Sequence, residues 1–467
     1  MVITIGNQRE FILKKSFLWQ ALILSGALLG MTACSSDDED SSSDMSYIQF
    51  YNASSNSTSA RLSMDEYEYT EVDFADSMAR YSYSTGSVEL AIVGNDELGD
   101  DQTVYEQSLN LGNDEEHLFM LVGDYHSPEF IDINYQREEM DELNSDEDED
   151  YSKMQLLVAH TAMNSAGFDV YIGLYGREFI DATLIGEVNY REHSDAVIFD
   201  TGDYILYLTE PDSMEPIYTT ASMSLSTNTV YKLIIRESFG PGTPNITIDS
   251  VDSTSSPVTY ANVDAHAEFR LFNGLSEQGS IDAEMTNHLG AIQVNGIGVG
   301  KVSVFKEIDF DDYAVQIQQS DSGEILANNL LVTFNQDESR TIFVYQDEAG
   351  GVRGMTLTHD LRPRAFEYQM HFANLVHEFE DLTVYFVRSS ETIESAEYKI
   401  DDADFAELNS LTIPSGEYEI SVVQQDDNDD LTLLYQSELL SLEGGGNYSM
   451  ALIKDTSMPL GYQLSLF

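Results

Sequence analysis

Met370-His371-Phe372-Ala373-Asn374 and Gly416-Glu417-Tyr418-Glu419-Ile420-Ser421-Val422 decide the fold, because both place apolar residues two apart and both return three more times along the chain. The first returns as Ile48-Gln49-Phe50-Tyr51-Asn52, Leu156-Leu157-Val158-Ala159-His160 and Phe269-Arg270-Leu271-Phe272-Asn273. The second returns at Gly86–Ile92, Gly202–Leu208 and Asp311–Ile317. A two-residue apolar period predicts a β-strand with one face on a core. Asn52, His160, Asn273 and Asn374 fall in register roughly a hundred residues apart, a spacing that is domain-sized and too long for a solenoid repeat.

The agreement extends outward from these strands. A polar turn after the mid-unit strand leads to a further strand at Val104–Leu111, Ile217–Leu225, Ile325–Val332 or Leu434–Leu442. Another follows at His117–Val122, Val230–Ile235, Thr341–Tyr345 or Tyr448–Ile453, and a closing one at Phe130–Tyr135, Ile246–Ile248, Met355–Leu357 or Leu460–Phe467. Six to seven short strands in about a hundred residues, with almost no helical period, predict an all-β chain of four tandem immunoglobulin-like sandwiches. Their apolar sets should face inward between two sheets and the alternate residues should face water. The expected boundaries are 46–136, 153–249, 265–360 and 361–467, with an acidic linker at 137–152 and a second linker at 250–264.

The opening strand ending at Asn or His, a D-V-Y strand such as Phe168-Asp169-Val170-Tyr171-Ile172, the G-x-Y strand and the closing strand resemble domain-of-unknown-function family 4397. The likeness spans most of residues 46–467. It implies repeated copies on exported bacterial proteins, and its motifs are structural, so it bears on fold and says little of activity. Repeat 1 departs from it with Ala60-Arg61-Leu62-Ser63-Met64, and repeat 3 with Ile281–Met285 and a glycine-rich insertion at Gly296–Gly300.

Ahead of the repeats, Lys14 and Lys15 precede the apolar stretch Phe17–Gly30 and then Met31-Thr32-Ala33-Cys34. This is the layout of a secretory signal over residues 1–33. The apolar stretch, at about fourteen residues, is short of the ~20 that a spanning helix needs. Met31–Cys34 resembles a bacterial lipobox, so Cys34 is the expected lipidation site, and residues 34–45 with their Ser-Asp-Glu run are the expected tether. Lipid chains on Cys34 would hold the protein to a membrane. Ser35 after the cysteine points to the outer membrane, with the repeats in the periplasm or at the surface. Cys34 is the only cysteine, which leaves no thiol for a disulfide, a thiolate metal site or a nucleophile.

With 21 Lys+Arg against 83 Asp+Glu, the formal charge of −62 disfavours nucleic acid and anionic lipid as partners. Cations, basic proteins and neutral glycans are favoured, and a solubilising surface accounts for the charge without any ligand. A hydrophobic content of 42% and an aromatic content of 11% are ample for packed cores. Neither a G-x-S-x-G elbow nor an H-E-x-x-H pair occurs. His371 and His377 stand closest among the histidines weighed for a metal, and hydrogen-bonded roles suit them better. Asn295–Lys301 fails as a phosphate loop, because Asn295 replaces the first glycine and Val302 the Ser or Thr that would hold magnesium.

The loop after each mid-unit strand is polar: Gly94–Asp101, Glu210–Glu215, Ser320–Glu324 and Gln425–Asp430. Asp426, Asn428 and Asp430 have the alternating start of a calcium loop, although Leu431 stands where its turn glycine belongs. Ca²⁺ is the one cofactor considered, against an ordinary solvated turn. The expectation overall is a non-catalytic, membrane-anchored envelope lipoprotein with an interaction, adhesion or structural role, meeting protein or glycan. Its rivals are a glycan-acting hydrolase built on paired carboxylates and a calcium-dependent surface module.

Overall fold

The protein is described here as a computed structural model, over residues 44–143, 152–425, 430–442 and 446–467. Cys34, its signal and most of its tether lie outside the described residues. Residues 44–467 form one compact unit in which eight sheets make four immunoglobulin-like sandwiches.

Each sandwich has the same plan. The opening strand (Met45–Asn52, Lys153–His160, Ala267–Asn273 or Glu367–Asn374) lies inside one sheet. On one side it pairs antiparallel with a mid-repeat strand. On the other it pairs parallel with the penultimate long strand, Glu115–Val122, Val230–Glu237, Ser339–Gln346 or Tyr448–Lys454. The second sheet is built on the mid-unit strand, Gly86–Asn95, Gly202–Thr209, Asp312–Gln319 or Gly416–Gln425. The core of each repeat lies between its two sheets; in repeat 4 it gathers Met370, Phe372, Tyr418, Ile420, Val422 and Leu452.

The polar residue that closes each opening strand explains itself here. Asn374 is fully buried; its Oδ1 accepts from Val376 N–H at 3.1 Å, while its Nδ2 donates to the Phe379 carbonyl at 3.0 Å and the Ala403 carbonyl at 3.2 Å. Asn273 and Asn52 clip their own loops in the same manner. In repeat 2 the imidazole of His160 does this work, accepting from Ala162 N–H at Nδ1 and donating from Nε2 to the Ala166 carbonyl at 2.9 Å. Buried loop amides and carbonyls need partners, and one side chain serves several of them. The tyrosine of the G-x-Y strand has a parallel role: Tyr204, Tyr313 and Tyr418 donate to the carbonyls of Asp200, Asp309 and Pro414, four residues back in each case.

Several expectations need correction. Repeats 2 and 4 split the strands foreseen at 217–225 and 434–442 into Pro216–Thr219 with Met223–Leu225, and Leu431–Gln436 with Leu440–Leu442. The foreseen linker 137–152 begins as a short helix, Glu138–Leu143, whose Met140 and Leu143 pack between repeats 1 and 2. The foreseen linker 250–264 carries the strand Val258–Tyr260, paired to Ile246–Val251.

The alternate residues of the opening strands do not face water. Tyr51, Leu118, Met120, Leu157, Ala159 and Ile234 form a second apolar layer that joins the opening sheets of repeats 1 and 2. Phe272, Phe343, Ala373, Leu375, Ala451 and Ile453 do the same for repeats 3 and 4. A sheet covered on both faces loses its apolar-polar alternation, which is why Leu118–Val122 is apolar and buried throughout.

Candidate functional site

Buried charge holds the first pair together. Lys232 of repeat 2, with a side chain 2% exposed, donates to Glu116 of repeat 1 at 2.9 Å. Arg80 also reaches Glu116, at 2.8 Å. Burial alone would raise the Glu116 carboxyl, but Lys232, Tyr135 and Arg80 hold it below the usual range. Nearby, Gln49 Nε2 donates to the carbonyls of Asp252 and Thr254 across the same seam. Tyr51 of repeat 1 donates at 2.7 Å to Asp249 of repeat 2, which Arg236 grips through two nitrogens.

The connector between repeats 3 and 4, residues 359–366, crosses onto repeat 1. Arg362 donates to the Ser57 carbonyl at 2.9 Å and Ala365 N–H to the Asn56 carbonyl at 2.8 Å. Phe366 packs edge-on against Tyr125 and His126. Repeat 2 approaches from the Ser238–Gly242 turn, where Ser238 and the Gly242 N–H both donate to Asp337 of repeat 3. Gly240 is required there, since a Cβ would sit 2.0 Å from the Asp337 carbonyl oxygen.

These contacts enclose a cavity of about 670 Å³ with walls from all four repeats, including Phe74, Phe239, Asp337, Arg364, Gln369 and Thr412. Arg236 and Arg362 both lie over the Phe74 ring, at 5.3 and 5.6 Å from its centre. Asp360 accepts from Arg362 at 3.1 Å and Arg364 at 3.0 Å, and Glu367 accepts from Arg364 at 3.1 Å. Burial, with Arg364 beside it, lowers the Arg362 guanidinium. Arg364 Nε and Gln369 Oε1 are buried and have no hydrogen-bond partner among the described residues. At the rear, His359 meets Thr341 Oγ1 through Nε2 at 2.6 Å. Burial first, then Arg270 and His371, push this imidazole down to about 3.

The residues singled out from sequence are placed differently. Asp426 and Asn428 lie outside the described residues, and Asp430 leads into the strand Leu431–Gln436. Among the described residues no group of three or more His, Cys, Asp and Glu side chains is arranged to hold a metal ion. His371 hydrogen-bonds Ser410 at 2.7 Å, and His377 stands edge-on to Phe405. The glycine-rich insertion packs repeat 3 on repeat 4, with Gly300 accepting from Ser465. Sequence reading missed the junction because its walls are scattered over four repeats. The one available signal was Arg362-Pro363-Arg364, two arginines within three residues in a chain short of cations.

No family model matches the chain, and no curated protein does. Among solved structures the chain is similar to the Bacillus anthracis TIE protein, with 8% identity, 89% of this chain and 75% of that one covered, and a TM-score of 0.17. A DUF3823 family protein from Bacteroides ovatus matches with 13% identity over 38% of this chain and 100% of its own, at a TM-score of 0.14. BcpA, the major pilin subunit of Bacillus cereus, matches with 9% identity over 64% of this chain and 98% of its own, at a TM-score of 0.13. The four-sandwich architecture rests on the strand pairing above and takes no support from these likenesses.

Proposed function

We propose that this chain is a non-catalytic envelope lipoprotein, anchored through Cys34 at the outer membrane, whose four repeats form a head that binds a partner at the cell envelope. The observation that carries the proposal is the junction: four sandwiches locked into one compact unit around a polar cavity. A string of independent repeats would serve reach, whereas a locked unit presents a fixed recess, and a recess with convergent polar groups is the ordinary form of a binding site.

The same site argues against hydrolysis. A glycosidase needs one carboxyl kept protonated by apolar, donor-poor surroundings. Here Asp360 and Glu367 are engaged by guanidinium groups and Asp337 by a hydroxyl and a backbone N–H. Each of these carboxyls is already committed to holding the junction together.

Cell fractionation tests the anchor. Cys34→Ala should move the folded chain from the membrane to the soluble fraction, and its retention in the membrane would overturn the lipid-anchor reading. Protease shaving of whole cells then separates a surface location from a periplasmic one.

A further inference from the structure

The outward face of one sheet sets repeat 2 apart. In the second sheet of each repeat, two neighbouring strands place a pair of residues opposite one another on the side turned away from the core. The pair is Ser63 with Ala91 in repeat 1, Glu284 with Gln316 in repeat 3 and Tyr385 with Ser421 in repeat 4. In repeat 2 it is Tyr171 with Tyr207, and Phe179, in a single helical turn, folds onto both rings at 5.2 and 5.1 Å.

The covering turn leaves apolar side chains in water. Ile180 is 72% exposed, Tyr175 64%, Met214 59% and Leu184 51%. Three of them adjoin through the rings beneath: Leu184 is in register with Tyr171 on the next strand, Met214 Sδ accepts from the Tyr171 hydroxyl at 3.7 Å, and Ile180 follows Phe179. Leu174, beside Tyr175 and half exposed, lines a recess of about 550 Å³ together with Ile172, Phe199 and Tyr204. The matching pairs in repeats 1 and 3 show that the sandwich itself needs no apolar row here. A contiguous apolar patch that folding does not require marks a contact surface.

Charge selects the occupant. The rim is acidic: Glu178 and Asp181 stand on either side of Phe179 and Ile180, and Asp212 and Glu215 on either side of Met214. Asp203 lies beside Tyr175, whose N–H donates to its carbonyl at 2.9 Å. These acidic residues are exposed. The cations near them are Arg177 and, at the recess, Lys153, which Asp200 holds. A second copy would set the carboxylates against themselves. A sugar chain needs flat rings to stack on, and of the four exposed side chains only Tyr175 has one.

We infer that this face of repeat 2 docks a protein partner with an apolar centre and a basic rim, with Ile180 and Leu184 at the middle of the contact. The site is separate from the junction and stands or falls without it.

The probes are three dye-labelled heptapeptides, KLKFKLK, KSKSKSK and ELEFELE, titrated into the Cys34→Ala chain and followed by fluorescence anisotropy. KSKSKSK reports the attraction of positive charge to any part of the acidic surface. KLKFKLK should bind about tenfold tighter or more, since burial of a single apolar side chain supplies that factor, and ELEFELE should not bind. Hydrogen exchange should show KLKFKLK protecting residues 175–187 and 210–215 and no other segment. Ile180→Ser/Leu184→Ser alters exposed side chains only, and should bring KLKFKLK down to the affinity of KSKSKSK at an unchanged melting temperature. Should that variant unfold, Tyr175→Ser, expected to weaken KLKFKLK several-fold, and the exchange pattern of the parent decide. Equal binding of the two cationic peptides, binding of ELEFELE, protection elsewhere, or an unmoved affinity in the folded variant would overturn the inference. So would sedimentation showing a dimer of the chain that the double variant abolishes, because a second copy would then be the occupant.

Discussion

Acid should loosen this protein through His359. The imidazole lies where repeat 3 meets repeat 4, hydrogen-bonded to Thr341 and edge-on to both Phe305 and His371. The charged group acting on it is Arg270 on the opening strand of repeat 3, with Glu268 beside that arginine, while Arg364 and Asp360 on the connector act on the neighbouring His371. Arg270 makes no salt bridge among the described residues and is flanked by Phe305 at 4.7 Å and Phe467 at 4.8 Å; burial brings it down to about 10. Burial first, and then the cation already present in Arg270, keep His359 neutral down to about 3 against its ordinary 6.5.

The unfolded chain takes up this proton below 6.5 and the folded chain does not, so the stabilisation is complete above 6.5 and drains away as pH falls toward about 3. At about 1.4 kcal/mol per pH unit, the loss between pH 7.5 and pH 5 is about 2 kcal/mol, within a ceiling of roughly 5 kcal/mol. His371, lowered by burial and by Arg364, acts in the same direction. His117 acts in the opposite one, because Asp132 and Glu115 outweigh its burial and raise it. Comparison with His359→Gln cancels both. Urea unfolding at the two pH values, followed by circular dichroism, should show the parent losing about 2 kcal/mol more than the variant. Parallel losses in the two proteins would refute the reasoning.

Two further predictions concern the seams between repeats. Lys232→Met leaves Glu116 buried without its main partner and should cost about 3–5 kcal/mol in chemical denaturation, with part of the loss recovered in the double variant Lys232→Met/Glu116→Gln. Gly274→Ala should destabilise repeats 3 and 4 by about 1–3 kcal/mol, because its Cβ would stand 2.7 Å from Leu375 Cδ1 and 2.8 Å from the Val344 carbonyl oxygen; hydrogen exchange of the strand Tyr448–Lys454 reads the effect locally.

The repeats were legible because strands with one face on a core keep a two-residue period, and all four opening and mid-unit strands do. Their closing polar residue was also legible as a register mark, although its role as a loop clip needs the partners of Asn374 or His160 to be seen. Parallel pairing leaves no mark in a single strand, so the neighbour of Glu367–Asn374 could not be read from its residues. The burial of both faces had a signal that went unread: Tyr51, Leu157, Ala159, Phe272 and Ala373 are apolar or small at positions that a solvent-facing row would fill with polar residues. The junction was the least legible part, since Phe74, Phe239, Asp337 and Gln369 are brought together only by the packing of four repeats.

The distribution of charge gives that packing its logic. A chain of −62 pushes its own repeats apart, and the separation is opposed where cations are spent: Lys232 and Arg236 at the first seam, Arg270 at the second, Arg362 and Arg364 at the junction of both. Each lies beside an apolar or aromatic layer that excludes water, and for all but Arg270, which packs between Phe305 and Phe467, attraction to Glu116, Asp249 or Asp360 is less screened there than repulsion between surface carboxylates. The acidic exterior and the cationic seams are thus two parts of one arrangement. It turns four sandwiches, each with a conventional core, into a single head with a recess that all four repeats line.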